Sequence, residues 1–277
     1  MTPGPPDPEH TRPLTARSIV ASTLLGTEPP RLPVAFLVST GALFGLAEGT
    51  IRTALSRMAG AGEVHADGDG WYSLTGGLIQ RQERQRRGRD AVTTTWSGRW
   101  HMAVVTGGAR PAPERAELRR AMGERRMAEL RDGVWVRPDN LDRAEPAGGS
   151  ALVERQCEWF LAEPQLSLER DDAALAAELW DLAAWADRAL RLRREMHDLL
   201  IRLEQGDSTA LAPGFVVSAA VLRHFVADPL LPPELLPRGW PGDALRNDYD
   251  RYDAAYRSLL ARWNEAERDS AAATVAS

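Results

Sequence analysis

The tetrapeptide Asp67-Gly68-Asp69-Gly70 restricts this chain more than any other feature of its sequence. Asp-Gly steps supply the positive φ of a tight β-turn, and extended runs flank them: Glu63-Val64-His65-Ala66 before, Trp71-Tyr72-Ser73-Leu74 after. The segment ahead of this hairpin reads as helical. Thr15 is placed to cap a first helix, with Leu14 and Ile19 at the positions of a hydrophobic staple and Gly26 as its stop. A proline-containing loop at 28–33 leads to a second apolar helix at 34–43. After the turn Phe44-Gly45-Leu46, a third helix is expected at about 47–61. Three helices followed by a hairpin predict a winged helix-turn-helix over residues 14–90. Residues 1–13, rich in Pro, Gly and charge, predict a disordered leader.

The third helix carries the functional reading. At 100° per residue, Ile51, Leu55 and Met58 fall on one side with Ala54 beside them. Thr53 lies opposite, flanked by Ser56 and Arg57, with Thr50 and Arg52 further round. Short hydroxyls and forked guanidinium groups opposite a packing face are what a major-groove reading helix requires. Arg52 or Arg57 suits guanine or phosphate, and His65 stands near the wing tip. Glu48 fits only as a cap or as an acceptor from a cytosine amino group. The plainer reading is that any amphipathic surface helix has a polar face, and helix pairs with a hairpin also occur in domains that bind only protein.

Charge neither forces nor forbids that function. A net charge of −5 over 277 residues argues against a non-specific polyanion binder. Residues 15–90 nevertheless hold nine Arg against seven Asp or Glu, so +2, which leaves −7 for the rest. Every basic side chain is Arg, which suits bidentate contacts, although biased nucleotide composition accounts for it more simply. One cysteine, Cys157, excludes a disulfide framework and a cysteine-rich zinc site. No signal-peptide core and no apolar run of membrane-spanning length are evident, so a cytoplasmic protein without membrane attachment is expected.

Beyond an Arg-rich helix or linker at 78–89, a strand is expected within 96–106, a helix at 114–130, a strand at 133–137, loop at 142–150 and a third strand at 155–161. That order predicts a small α/β domain of split βαβ type at 95–168. From Asp171 the chain reads as helical through residue 268. Leu175, Leu179, Leu182, Ala186, Ala189, Arg193, Met196, Leu200 and Leu203 follow spacings of four and three, a heptad seam ended by Gly206. A helix at 215–226 and a final helix striped with Leu245, Tyr249, Tyr252, Tyr256, Leu259 and Trp263 complete it. These stripes read as core or dimer contacts.

Three stretches together resemble the PaaX-like regulators named for the repressor of phenylacetate catabolism. They are Glu48-Gly-Thr-Ile-Arg-Thr-Ala-Leu-Ser-Arg-Met, Trp96-Ser-Gly-Arg-Trp-His-Met-Ala-Val-Val, and the proline-punctuated run from Leu222 through Asp228-Pro229 to Trp240-Pro241-Gly242. The resemblance covers about residues 15–265 and implies an α+β, multidomain chain: winged helix, ferredoxin-like middle domain and helical C-terminal domain (169–268). It implies a homodimeric repressor of operator DNA, released by a small-molecule effector that is an acyl coenzyme A thioester in the namesake branch. Two departures stand out. The wing reads Asp-Gly-Asp-Gly where the family often has Arg-Arg, and residues 139–157 are short and glycine-rich.

Arg223 and His224, just before the signature run, are candidate contacts for an anionic effector; the plainer reading is a surface Arg and a half-buried His bracing the next loop. The five His show no ligand spacing. No HExxH, Gly-x-Ser-x-Gly or phosphate-binding glycine loop is present, so no metal, cofactor or catalytic site is expected. An activator or effector-free regulator of the same fold remains open, as do a protein-interaction scaffold and a nuclease-derived middle domain. The last lacks carboxylates within the expected strands.

Overall fold

The computed structural model describes residues 14–106, 111–141, 150–163 and 171–275. The expected leader at 1–13 and nearly all of the loop expected at 142–150 lie outside the described residues. The protein is α+β and multidomain, as expected. It divides into two discontinuous compact units, one of Met1–Glu83, Leu192–Leu222 and Leu245–Ser277, the other of Arg84–Arg191 and Arg223–Ala244.

The first unit begins with α1 (Ala16–Leu25), started by a capping box. Thr15 Oγ1 accepts from the Ser18 N–H at 3.1 Å, and the Ser18 hydroxyl accepts from the Thr15 N–H at 2.9 Å. Leu14 stays exposed, so the staple adds nothing. Next come β1 (Arg31–Pro33), α2 (Val34–Ala42), α3 (Glu48–Gly60), β2 (Val64–Ala66) and β3 (Trp71–Leu74). The strands form an antiparallel sheet in the order β1-β3-β2, with Leu32 and Ala66 both opposite Tyr72. Strand β1 corrects the expected loop at 28–33. Three residues ending in proline carry no readable period, and only the partner strand makes them extended; an edge position tolerates Pro33. The core joins Val20, Leu24 and Leu25 of α1, Leu37 of α2, Ile51, Leu55 and Met58 of α3, and Val64 and Leu74 of the hairpin. Helices α2 and α3 touch closely enough that a Cβ on Gly41 would lie 2.6 Å from Ile51 Cγ1 and Cδ1.

Helix α4 (Gly76–Asp90) leads on to the second unit. Its middle part holds β4 (Trp100–Val105), α5 (Ala112–Glu124), β5 (Ala128–Arg131), β6 (Val134–Pro138), α6 (Ser150–Gln156) and β7 (Cys157–Ala162). All strand pairs are antiparallel and the sheet order is β5-β6-β4-β7, the ferredoxin-like arrangement. The expected helix at 114–130 is too long by one element. It stops at Glu124, where Arg126 takes φ +57° and the Met127 N–H bonds the Met122 carbonyl. Asp132-Gly133, with Gly133 at φ +72°, then turns β5 into a hairpin with β6. The strand expected at 155–161 starts at Cys157 because α6 runs to Gln156. One sheet face packs Ala103, Trp135 and Cys157 on Leu118 and Met122 of α5 and Leu152 and Val153 of α6. The other buries Trp100 and Val136 against Leu175, Ala176, Leu231 and Leu235.

The helical region is not continuous from Asp171. Helix α7 (Asp172–Leu179) ends at Trp180, which is extended at φ −121° and ψ 133°. Asp181 then caps α8 (Leu182–Glu204) by accepting from the Ala184 N–H at 3.0 Å. The buried seam of α8 is Leu182, Trp185, Ala189, Leu192, Met196, Leu200 and Leu203, so Trp185 and Leu192 replace the expected Ala186 and Arg193. Arg193 is at the flank, paired with Asp248 at 2.6 Å. Helix α9 (Leu211–Val226) starts a turn earlier than expected. In α10 (Gly242–Val275), Leu245, Tyr249, Tyr252, Tyr256 and Leu259 are buried. Tyr252 donates to the Gly214 carbonyl at 2.8 Å, and burial pushes the Tyr252 and Tyr256 hydroxyls far up in pKa. Gly214 is required there, since a Cβ would stand 3.0 Å from the Tyr252 hydroxyl and 3.1 Å from the Tyr256 ring.

One segment corrects the reading of apolar runs. Ser208–Val226 is long and apolar enough to cross a membrane, with 19 residues at mean hydropathy 1.4. Half of it is buried inside the protein, Val221 and Phe225 completely.

Candidate nucleic-acid interface

Helix α3 is oriented by its apolar side. Ile51 and Leu55 are fully buried, Met58 nearly so, which leaves the opposite side to solvent. Thr50, Arg52, Thr53, Ser56 and Arg57 are all exposed, and His65 is exposed on β2. The five helix residues therefore share one open face, though not in equal states. Arg52 Nε pairs with Glu48 Oε1 at 2.7 Å, and the Thr53 hydroxyl donates to the Gly49 carbonyl at 2.7 Å. Arg57 has no side-chain partner among the described residues. Glu48 is not a cap: it is the first residue of the helix, behind Ala47, and its charge is spent on Arg52.

The hairpin beside α3 is held by its own acidic residue. Asp67 Oδ1 accepts from the backbone N–H groups of Asp69 and Trp71, each at 3.1 Å. Its other oxygen pairs with Arg31, whose guanidinium lies 4.5 Å above the Trp71 ring. The Arg31 hydrogen bond holds the Asp67 carboxyl below the usual carboxylate range. At the base of the hairpin Arg17 forks onto Glu63, one bond being Nε to Oε2 at 2.9 Å, and the same effect lowers the Glu63 carboxyl. Arg31 was missed from sequence because β1 was. The only available signal was an Arg beside a single apolar residue in a proline-rich stretch.

In the second unit the proline-punctuated run is seated by buried polar groups. Asp228 is nearly inaccessible, and its Oδ1 accepts from the Leu230 N–H at 2.9 Å, holding Leu230 at φ +49°. Arg126 donates to the carbonyls of Val226 and Asp228, and Asn140 Nδ2 donates to the Leu230 carbonyl at 2.9 Å. Arg137 donates in turn to Asn140 Oδ1 at 2.9 Å and to the Arg125 carbonyl at 3.1 Å. Burial, helped by the nearby Arg126 charge, pushes the Arg137 pKa down to about 9. Arg126 and Asn140 escaped the sequence reading because their partners lie some ninety to a hundred positions away.

Arg223 is exposed, whereas His224 is engaged. The His224 ring stacks on Trp185 at 4.2 Å, its Nε2 lies 3.1 Å from the Trp185 carbonyl, and Trp185 stacks in turn on Trp240 at 4.5 Å. Trp240 is thus an anchor of the signature run. Among the described residues no three His, Cys, Asp or Glu side chains come together as metal ligands would.

An α+β chain with the helix, strand and hairpin order of a winged helix, a ferredoxin-like sheet and a helical remainder falls in the class of multidomain transcriptional regulators. Within that class the chain belongs to the PaaX-like family. Residues 15–78 match the model for a PaaX-like protein, 93–173 that for the PaaX protein central Cas2-like domain, and 180–266 that for the PaaX-like protein C-terminal domain. The chain is also similar to a solved structure, uncharacterised protein Rv0674 from Mycobacterium tuberculosis. The two are 38% identical, the match covers 90% of this chain and 98% of that one, and the TM-score is 0.69. No curated protein matches the chain.

Proposed function

We propose that the protein is a sequence-specific repressor of a catabolic operon, binding double-stranded operator DNA as a homodimer in the cytoplasm. The observation that carries this is the open face of α3, where Thr50, Arg52, Thr53, Ser56 and Arg57 lie opposite a fully buried side. Arg57, without a side-chain partner among the described residues, is the first base or phosphate contact. Arg52, tied to Glu48, is a phosphate contact or a reader only after exchanging partners, and His65 supports from the wing. The DNA-binding part is residues 14–90, the ferredoxin-like part 95–168, and the helical part 169–268 supplies dimerisation and effector contacts.

Release is by a small molecule, an acyl coenzyme A thioester being the class the family suggests, acting through a shift between two arrangements of the reading heads. Arg223 and His224 are the effector contacts we assign. Arg223 is open to an anion, while His224 already uses a ring face and Nε2 on Trp185 and acts by holding that indole.

Selection of bound fragments from genomic DNA, followed by gel shifts with Arg57→Ala and Thr53→Ala, tests the assignment. Loss of a bidentate contact costs about 1–3 kcal/mol, roughly five- to 150-fold in Kd. Both side chains are exposed, so melting temperatures should be unchanged. Full-strength shifts from both variants sink the reading of α3.

A further inference from the structure

We propose that Arg31 is a positioning residue of the DNA-facing surface: from β1 it neutralises and immobilises the wing carboxylate Asp67, so that an acidic hairpin can lie beside a polyanion. The proposal rests on the DNA-binding reading of α3.

The hairpin needs an acceptor at position 67. Its Oδ1 collects the N–H groups of Asp69 and Trp71 and so shapes the turn that joins β2 to β3. A bare carboxylate at that place repels phosphate held on the open face of α3, because the hairpin packs beside α3 through Val64 and Leu74 in one core. Arg31 answers both demands. The antiparallel register sets Arg31 opposite Ser73, two residues along β3 from Trp71, so its side chain shares a sheet face with the indole. From there the guanidinium lies on the Trp71 ring at 4.5 Å and reaches Asp67 Oδ2. The stacked, bonded guanidinium is one a lysine cannot reproduce. Its side chain is 46% exposed and that of Asp67 23%, so the pair stays within reach of solvent and of a bound duplex. The lowered pKa of the Asp67 carboxyl agrees with this geometry. Asp69, the other wing carboxylate, lends only its backbone N–H to the turn.

The test is fluorescence anisotropy of the full chain on a selected operator fragment, with wild type, Arg31→Ala, Asp67→Asn and the double variant, across a salt series. Asparagine keeps the Oδ1 acceptor and removes the charge. Arg31→Ala should weaken binding about fivefold at low salt, less as salt rises. Asp67→Asn should bind at least as well as wild type. The double variant should return to within about twofold of wild type, since no uncovered charge is left at position 67. If Arg31→Ala does not fold, Arg31→Gln, which can still donate to Asp67, must show the same weakening and the same rescue. A double variant as weak as Arg31→Ala, with a salt slope flatter by about one phosphate contact, overturns the proposal in favour of direct contact by Arg31. Unchanged binding by Arg31→Ala overturns it as well. Wild-type protein that retains no DNA at all refutes the reading of α3 itself, a result separate from either.

Discussion

Gly41→Ala probes the contact that sets the position of α3. A methyl group at Gly41 would stand 2.6 Å from both Cγ1 and Cδ1 of Ile51, where carbon atoms normally rest about 3.5–4.0 Å apart. Ile51 is fully buried, so it has no open space to swing into, and relief requires a shift of about 1 Å in the side chain or in α3. Overpacking of this kind costs about 1–3 kcal/mol, and replacing a helical glycine by alanine returns about 1. The net effect on wild type is a loss of about 0–2 kcal/mol. In an Ile51→Ala background the sign reverses. That variant alone loses about 2–5 kcal/mol to its cavity. Adding Gly41→Ala there places a methyl group in vacated space and stabilises by about 1 kcal/mol. Hydrogen exchange of the α2 and α3 amides in all four proteins closes the cycle, with a coupling of about 1–3 kcal/mol expected. Operator binding by Gly41→Ala should weaken as α3 moves, although residue 41 is buried and cannot touch DNA. Stabilisation of wild type by Gly41→Ala, with the two changes simply additive, refutes the close approach of α2 and α3.

Asp228→Ala should destabilise the second unit by about 1–3 kcal/mol, because the buried Leu230 N–H loses its acceptor, while Asp228→Asn, which keeps an acceptor oxygen, should lose less. Tryptophan fluorescence during thermal unfolding reads the difference, since seven of the nine tryptophans belong to that unit, and equal losses would contradict the cap. Acid should loosen the hairpin of the first unit. Asp67 and Glu63 have folded pKa values lowered by their Arg partners, so their stabilisation is complete above the unfolded values near 4 and is lost as pH falls through the folded ones. Carboxyl chemical shifts followed by NMR should place both midpoints below about 4; midpoints at or above that value would contradict the pairings.

Local chemistry was enough to determine much of the first unit. The Thr15 cap, the buried side of α3 and the Asp-Gly turns depend on neighbours within a few residues, so their periods and caps are written in consecutive letters. The open face bearing Thr50 to Arg57 followed from that period, because burying Ile51, Leu55 and Met58 leaves the other side no alternative. Periodicity failed where two solutions compete. Residues 128–131 fit a helix as well as a strand until β6 pairs with them, and the seam across α7 and α8 reads as continuous until Trp180 turns extended and Asp181 caps anew. Other features have no local signal at all. β1 exists only because β3 is beside it, and Arg31 is assigned to Asp67 by that pairing. Arg126 and Asn140 likewise gain their roles only when the signature run around Asp228 folds back onto them. Sequence by itself thus determined the open face of α3 and the family to which the chain belongs. Tertiary structure decided how the acidic wing is neutralised and what the signature run holds, because those bonds join residues that only the folded chain brings together.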